Sequence, residues 1–170
     1  MTHQNNYRIS KVIFFSFLFI FLFLISSANA ADRFWVASGS GDKIWWDNNN
    51  WSNQSGGTPG ANPPSGSDKA YFDANSTLDV NVTTNVTVNK LIMRGGYTGT
   101  ININIPSGQF TAKQGVTHSG GHIIVSDGLF KLGKKQYTLG AGGNNPTLTF
   151  TGSTSTFRLD HNFVMYNGST

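Results

Sequence analysis

Apolar and polar positions alternate with period two through much of the chain. Leu78, Val80 and Val82, then Val86 and Val88, interleave with Asp79, Asn81, Thr83, Thr87 and Asn89. Ile101, Ile103 and Ile105 alternate with Asn102 and Asn104, and Leu148 and Phe150 with Thr147, Thr149 and Thr151. Period-two patterning over a few residues predicts strands with one face in a core and the other in water. Glycine-rich breaks separate them at Gly95-Gly96, Ser107-Gly108, Ser119-Gly120-Gly121, Asp127-Gly128 and Gly140–Pro146. Beyond residue 30 nothing carries a helical pattern. Asn, Thr, Gly and Val dominate there, which are poor or indifferent helix formers, and the β-branched ones suit a pleated surface. The fold class predicted is all-β.

The spacing of the apolar centres narrows the architecture. From Ile103 to Ile124 to Leu148 the stronger centres recur at 21 and 24 residues, with a weaker Phe-containing strand between each pair. Periods of roughly 20–50 residues mark solenoids and arrays. We therefore expect a right-handed parallel β-helix, with inward residues stacked coil on coil and outward positions left to Thr, Asn and Ser. The alternative is a two-sheet β-sandwich, which also joins short strands by turns. Short strands and small glycine turns favour the solenoid.

The opening segment is of another kind. Arg8 and Lys11 precede an apolar run, Val12–Ile25, broken only by Ser16, and Ala28-Asn29-Ala30 follows. A positive start, an apolar core of about 7–15 residues and an A-x-A exit are the parts of a secretory signal peptide. The run is shorter than the roughly 20 residues of a membrane-spanning helix. Residues 1–30 are thus expected to form a signal-peptide helix removed on export, with a secreted or cell-surface product and no other membrane attachment in this chain. Removal also changes the charge. The whole chain carries 12 basic and 8 acidic residues, and loss of Arg8 and Lys11 leaves ten against eight. The remaining cations are spread out, which predicts no nucleic-acid partner. There is no Cys, so stability has to come from burial and backbone hydrogen bonds.

Residues 31–76 hold all four Trp and much Gly, Asn and Pro. The order Arg33-Phe34-Trp35-Val36, Gly39-Ser40-Gly41, Trp45-Trp46-Asp47, Asn50-Trp51-Ser52, then Asp68–Asp73 and Gly96-Tyr97-Thr98-Gly99-Thr100, resembles the opening of bacterial secreted β-helix proteins of the autotransporter-passenger or adhesin-like kind. The resemblance spans residues 33–105 and implies architecture more than activity. On physical grounds, a solenoid's end coil exposes strand edges and an open core. Trp35, Trp45, Trp46 and Trp51, with Phe34, Tyr71 and Phe72, suit a cap, because each Trp covers about 150–250 Å². The functional alternative is a sugar-stacking platform built from Trp45, Trp46 and Trp51, with surface glycans as partners. Residues 77–170 would then be the solenoid repeats. They stop within a strand-and-turn pattern at Phe163–Thr170, so the expectation is the N-terminal piece of a longer protein.

Candidate chemistry is sparse. Asp42 and Asp47 with Asn48, Asn49 and Asn50 form an oxygen-rich loop that invites Ca2+, but the spacing does not match the D-x-[DN]-x-[DN]-G calcium loop, and such residues are common in turns. No cofactor is expected. Asp68 and Asp73 flank a strand and should cap its loops. His118 and His122, around Gly120-Gly121, are expected on a turn. Arg158, Asp160 and His161, with Lys134 and Lys135 a coil earlier, are the nearest thing to a catalytic constellation, though nothing in the spacing makes two acids converge. Sequons such as Asn81-Val82-Thr83 and Asn85-Val86-Thr87 are expected by chance in so Asn- and Thr-rich a chain, and the Thr positions form no regular T-x-T ladder of an ice-binding kind. Two functions follow: a non-enzymatic structural or adhesive module, or the carbohydrate-binding part of a polysaccharide-active enzyme.

Overall fold

The computed structural model describes residues 30–40, 43–140 and 145–165. The expected signal peptide lies outside the described residues except for Ala30. Two strands open the fold, β1 (Asp32–Trp35) and β2 (Trp51–Ser52), and the chain then winds in coils. The first coil is β3 (Lys69–Phe72), β4 (Val80–Val82) and β5 (Val86–Val88). The second is β6 (Lys90–Met93) and β7 (Thr100–Ala112), and the third β8 (Val116–His118) and β9 (His122–Leu132). The fourth is β10 (Tyr137–Leu139), β11 (Thr147–Phe150) and β12 (Thr156–Leu159), after which β13 (Phe163–Met165) rejoins the stack. The result is a right-handed parallel β-helix of about four turns. Among the described residues the only helical element is a 3-10 turn at Asn48–Asn50.

Two sheets build its sides. One runs β13-β10-β8-β6-β3-β1-β2 and is parallel except where β2 meets β1. The other runs β11-β9-β7-β4, with β5 on β7 and β12 on β9, all parallel. Parallel pairing of every strand but β2 rules out the sandwich, whose sheets are antiparallel. The long strands bend: the β7–β9 register slips between Ile103 and Gln109. Gly128 at this bend has φ +88°, and a Cβ there would stand 2.5 Å from the Ile105 carbonyl oxygen, so only glycine fits. The bend gives each coil three faces, the first carrying β3, β6, β8, β10 and β13.

Inside, the alternating positions become ladders. Val80, Ile101, Ile123 and Leu148 are stacked in register, as are Val86, Phe110, Phe130 and Phe157. Phe110 and Phe130 rings lie 5.6 Å apart, and Phe130 and Phe157 5.9 Å, pairs that add about 0.5–1.5 kcal/mol each beyond their buried area. The period deduced from sequence is one residue out. Ile103 rests on Val125, and Ile124 faces outward beside Asn102.

The first end of the core is closed by Trp35, Trp45, Trp51 and Phe72, all fully buried. Trp45 packs on Trp51 at 4.9 Å and meets the Phe110 ring edge-on at 5.4 Å. Their polar atoms are largely placed: Trp35 Nε1 donates to Leu78 O and Trp51 Nε1 to Trp45 O. The 43–46 segment also covers the edge of the second sheet, since Trp45 N donates to Asn81 O and Asn81 N to Lys43 O. Three aromatics grouped with this cluster by sequence sit elsewhere. Phe34 and Tyr71 stack at 4.7 Å on the outer side of the first face, under the Arg94 guanidinium, and Trp46 is at the surface.

Candidate functional site

The three Trp of the possible sugar platform do not share a surface. Successive strand side chains point to opposite sides, so Trp45 goes into the core and Trp46 goes out. Trp45 and Trp51 are 0% exposed and have no free ring face for a ligand, which corrects the platform as a three-Trp site. Trp46 is 45% exposed and its Nε1 donates to Thr84 Oγ1 at 2.6 Å. It stands alone.

The acidic residues serve the backbone. Asp47 caps the 3-10 turn by accepting the Asn49 N–H at 2.9 Å, and Asp42 lies outside the described residues. Among the described residues no three acidic or histidine side chains gather as a metal cage. Asp68 is buried and accepts from Ala31 N, Ser65 N and Ser65 Oγ. Burial raises its pKa, but these hydrogen bonds outweigh it and hold the carboxyl below the usual range. Asp73 accepts from Ser55 Oγ and Asn75 N, with Arg94 3.7 Å away. Both tie loops to strand β3, as expected of residues flanking it.

His118 is not on a turn. It ends β8 and points inward, fully buried. Its Nε2 is 3.0 Å from the Gly121 carbonyl, which can only accept, so Nε2 carries the proton. Nδ1 then accepts from the Tyr137 hydroxyl at 2.5 Å. Burial pushes the imidazole pKa down to about 4. His122, expected on the same turn, opens β9 and contacts Thr147 Oγ1. The two histidines form no joint site.

Chemistry concentrates on the first face, at the corner where the long strands turn back into it. A groove of about 520 Å³ is lined there by Lys90, Gln114, Val116, Thr117, Lys134, Lys135, Gln136, Thr138, His161 and Asn162. The corner turns stack on one another: Gln114 N donates to Asn89 O and Lys134 N to Lys113 O. Stacking places Thr117 against Thr138 in register. The row preceding these strands holds Lys90, Gly115, Gln136 and Asn162. Gly115 has φ +85°, and a Cβ there would lie 2.3 Å from Gln136 O. Glycine is therefore required, and its missing side chain opens the row between Lys90 and Gln136. No carboxylate lines the groove. The three ion pairs among the described residues are Lys69–Asp32, Arg94–Asp73 and Arg158–Asp160, which leave Lys90, Lys134 and Lys135 without an acidic partner there.

The Arg158, Asp160, His161, Lys134 and Lys135 group is thus partly assembled. Lys134, Lys135 and His161 line the groove, while Arg158 Nε and Asp160 Oδ1 pair with each other at 3.0 Å. The sequence reading missed Lys90, Gln114, Thr117, Gln136, Thr138 and Asn162. The coil repeat was the signal that could have found them. Comparison with known proteins yields no relative: no protein-family model, no curated protein and no solved structure matches the chain.

Proposed function

We propose that this chain is a non-enzymatic, exported structural and adhesive β-helix module that holds glycans at a cell surface. The observation that carries the reading is the conversion of equivalent positions into straight outward rows, Thr117 on Thr138 and Asn81 on Asn102 among them. Stacked coils set such outward polar pairs on neighbouring turns of a rigid axis, which suits a long polymer or a stalk. The interior is filled with apolar ladders. Asp160, next in sequence to the groove residue His161, is engaged with Arg158. The secretory signal and the adhesin-like order of residues 33–105 point the same way.

The test is incubation of the purified chain with a panel of polysaccharides, reading both retention and cleavage. Retention on at least one glycan surface with no new reducing ends or unsaturated products is the expected result. Turnover that disappears in Asp160→Ala would replace this reading with a polysaccharide-active enzyme.

A further inference from the structure

The first-face groove differs from the rest of the surface in sign and in composition. Lys90 of the second coil, Lys134 and Lys135 from the turn into the fourth, and His161 from the turn into β13 line one depression, with the third coil contributing Gln114 and Thr117 between them and the Thr117–Thr138 pair as its floor. Adjacent coils in a parallel sheet are about 4.8 Å apart, so Lys90 and the Lys134–Lys135 pair, two coils apart, are separated along the axis by about 10 Å, comparable with the Debye length of about 8–10 Å at ordinary salt. Their charges therefore act together on anything lying along the axis. A rigid concave wall of one sign raises the local concentration of the opposite charge. Hydroxyl and amide side chains beside the cations supply hydrogen bonds for a hydroxylated polymer. No Trp, Tyr or Phe lines the groove, so apart from the single His161 imidazole it offers no stacking platform for a run of nucleic-acid bases or for a neutral sugar ring.

We infer that this groove is the binding site for an acidic polysaccharide, its carboxylate or sulfate groups on Lys90, Lys134 and Lys135 and its hydroxyls on Thr117 and Thr138. The inference rests on the adhesive reading and specifies its ligand. The polymer runs along the coil axis and is held by several charge-assisted contacts from different coils. Trp46, on another part of the surface, takes no part.

The experiment uses the full chain with four probes: polygalacturonate, dextran sulfate, neutral dextran and a single-stranded DNA. Polygalacturonate, dextran sulfate or both bind, according to whether the groove takes carboxylate, sulfate or either, and neutral dextran does not. Lys134→Ala/Lys135→Ala weakens binding about tenfold or more, the loss of one charge-assisted contact at least, and flattens the fall of log Kd-derived affinity with log salt. Thr117→Asp, which puts a carboxylate on the floor, abolishes it. Lys131→Ala, an outward lysine on another face, leaves affinity and salt slope unchanged. Melting curves that match the parent show that each variant is folded. Binding untouched by both groove variants overturns the site. Tighter binding of DNA than of either acidic glycan overturns the ligand class. Retention on neutral dextran alone overturns the groove assignment but leaves the adhesive reading standing, whereas turnover of any probe removes that reading itself.

Discussion

His118 is a polar residue in an apolar ladder, and the hydrogen bond it accepts at Nδ1 requires the neutral ring, whereas Nε2 donates to the Gly121 carbonyl in either state. Protonation would turn Nδ1 into a donor facing the Tyr137 hydroxyl. The unfolded imidazole titrates near 6.5 and the folded one near 4. Between those values the unfolded chain binds the extra proton, so stability is full above pH 6.5 and is lost as pH falls toward 4. The shift corresponds to about 3 kcal/mol. Urea unfolding at stepped pH should show that loss in the parent. His118→Leu should flatten the profile in this window while costing about 1–3 kcal/mol at pH 7, because Tyr137 Oη and the Gly121 carbonyl lose their partner. An equally steep profile in the variant would assign the slope to other groups. Asp68 acts in a separate window. Its lowered pKa makes a contribution that is present above 3.8 and lost below it. The loop tie made by Asp68 was legible from its place beside a strand, whereas the role of His118 was not. Sequence shows His118 beside a glycine turn, and only the ladder register reveals that it faces in.

Strands were legible wherever a polar residue marks every second position, as in Val80–Val88 and Ile101–Ile105. Where three apolar residues run together the marking fails. Ile123-Ile124-Val125 offers no polar side chain to distinguish the faces, and the inferred centre fell on the outward Ile124. The bent strands were read as separate pieces for a related reason. Pro106-Ser107-Gly108 looks like a terminator, yet β7 resumes pairing with β9 beyond it. The aromatic segment shows what composition cannot decide. Four Trp in a short stretch suit a cap or a platform, and the alternation of Trp45 and Trp46 settles each one separately. Trp45→Ala should cost about 3–5 kcal/mol as a buried aromatic truncation. Trp46→Ala, which removes a half-exposed ring and one surface hydrogen bond, should cost less than about 1 kcal/mol. Chemical denaturation of the two variants side by side checks this. Equal losses would mean that Trp46 carries as much of the end coil as Trp45.

The basic groove exists only at the scale of the stack. Lys90, Lys134 and His161 are scattered in sequence and interrupted by corners of unequal length, so no window of the chain contains the site. Its charge is likewise invisible in the total, where it is summed with eight Asp and with cations spread over the rest of the chain, three of them paired with Asp32, Asp73 and Asp160. The same stacking sets how stability is distributed. Each coil gains its burial from the coils on either side. At the first end, β2 and the 43–46 segment cover the sheet edges and three Trp fill the core. In the fourth coil and β13 the ladders are less covered: Phe150 is 37% exposed, Phe163 40% and Met165 69%, whereas Val125 and Tyr137, on which Phe150 and Phe163 stack, are 0% exposed. Opening should therefore begin there and travel toward the Trp cluster. In native-state hydrogen exchange, amides of β11, β12 and β13 should exchange at least about tenfold faster than those of the central strands β7 and β9. Strands β1 and β3, although near an end, should exchange as slowly as the centre. Uniform protection across β3–β13 would mean that the four coils open as one unit, and fast exchange at β1 would mean that the aromatic cluster does not hold its end of the helix closed.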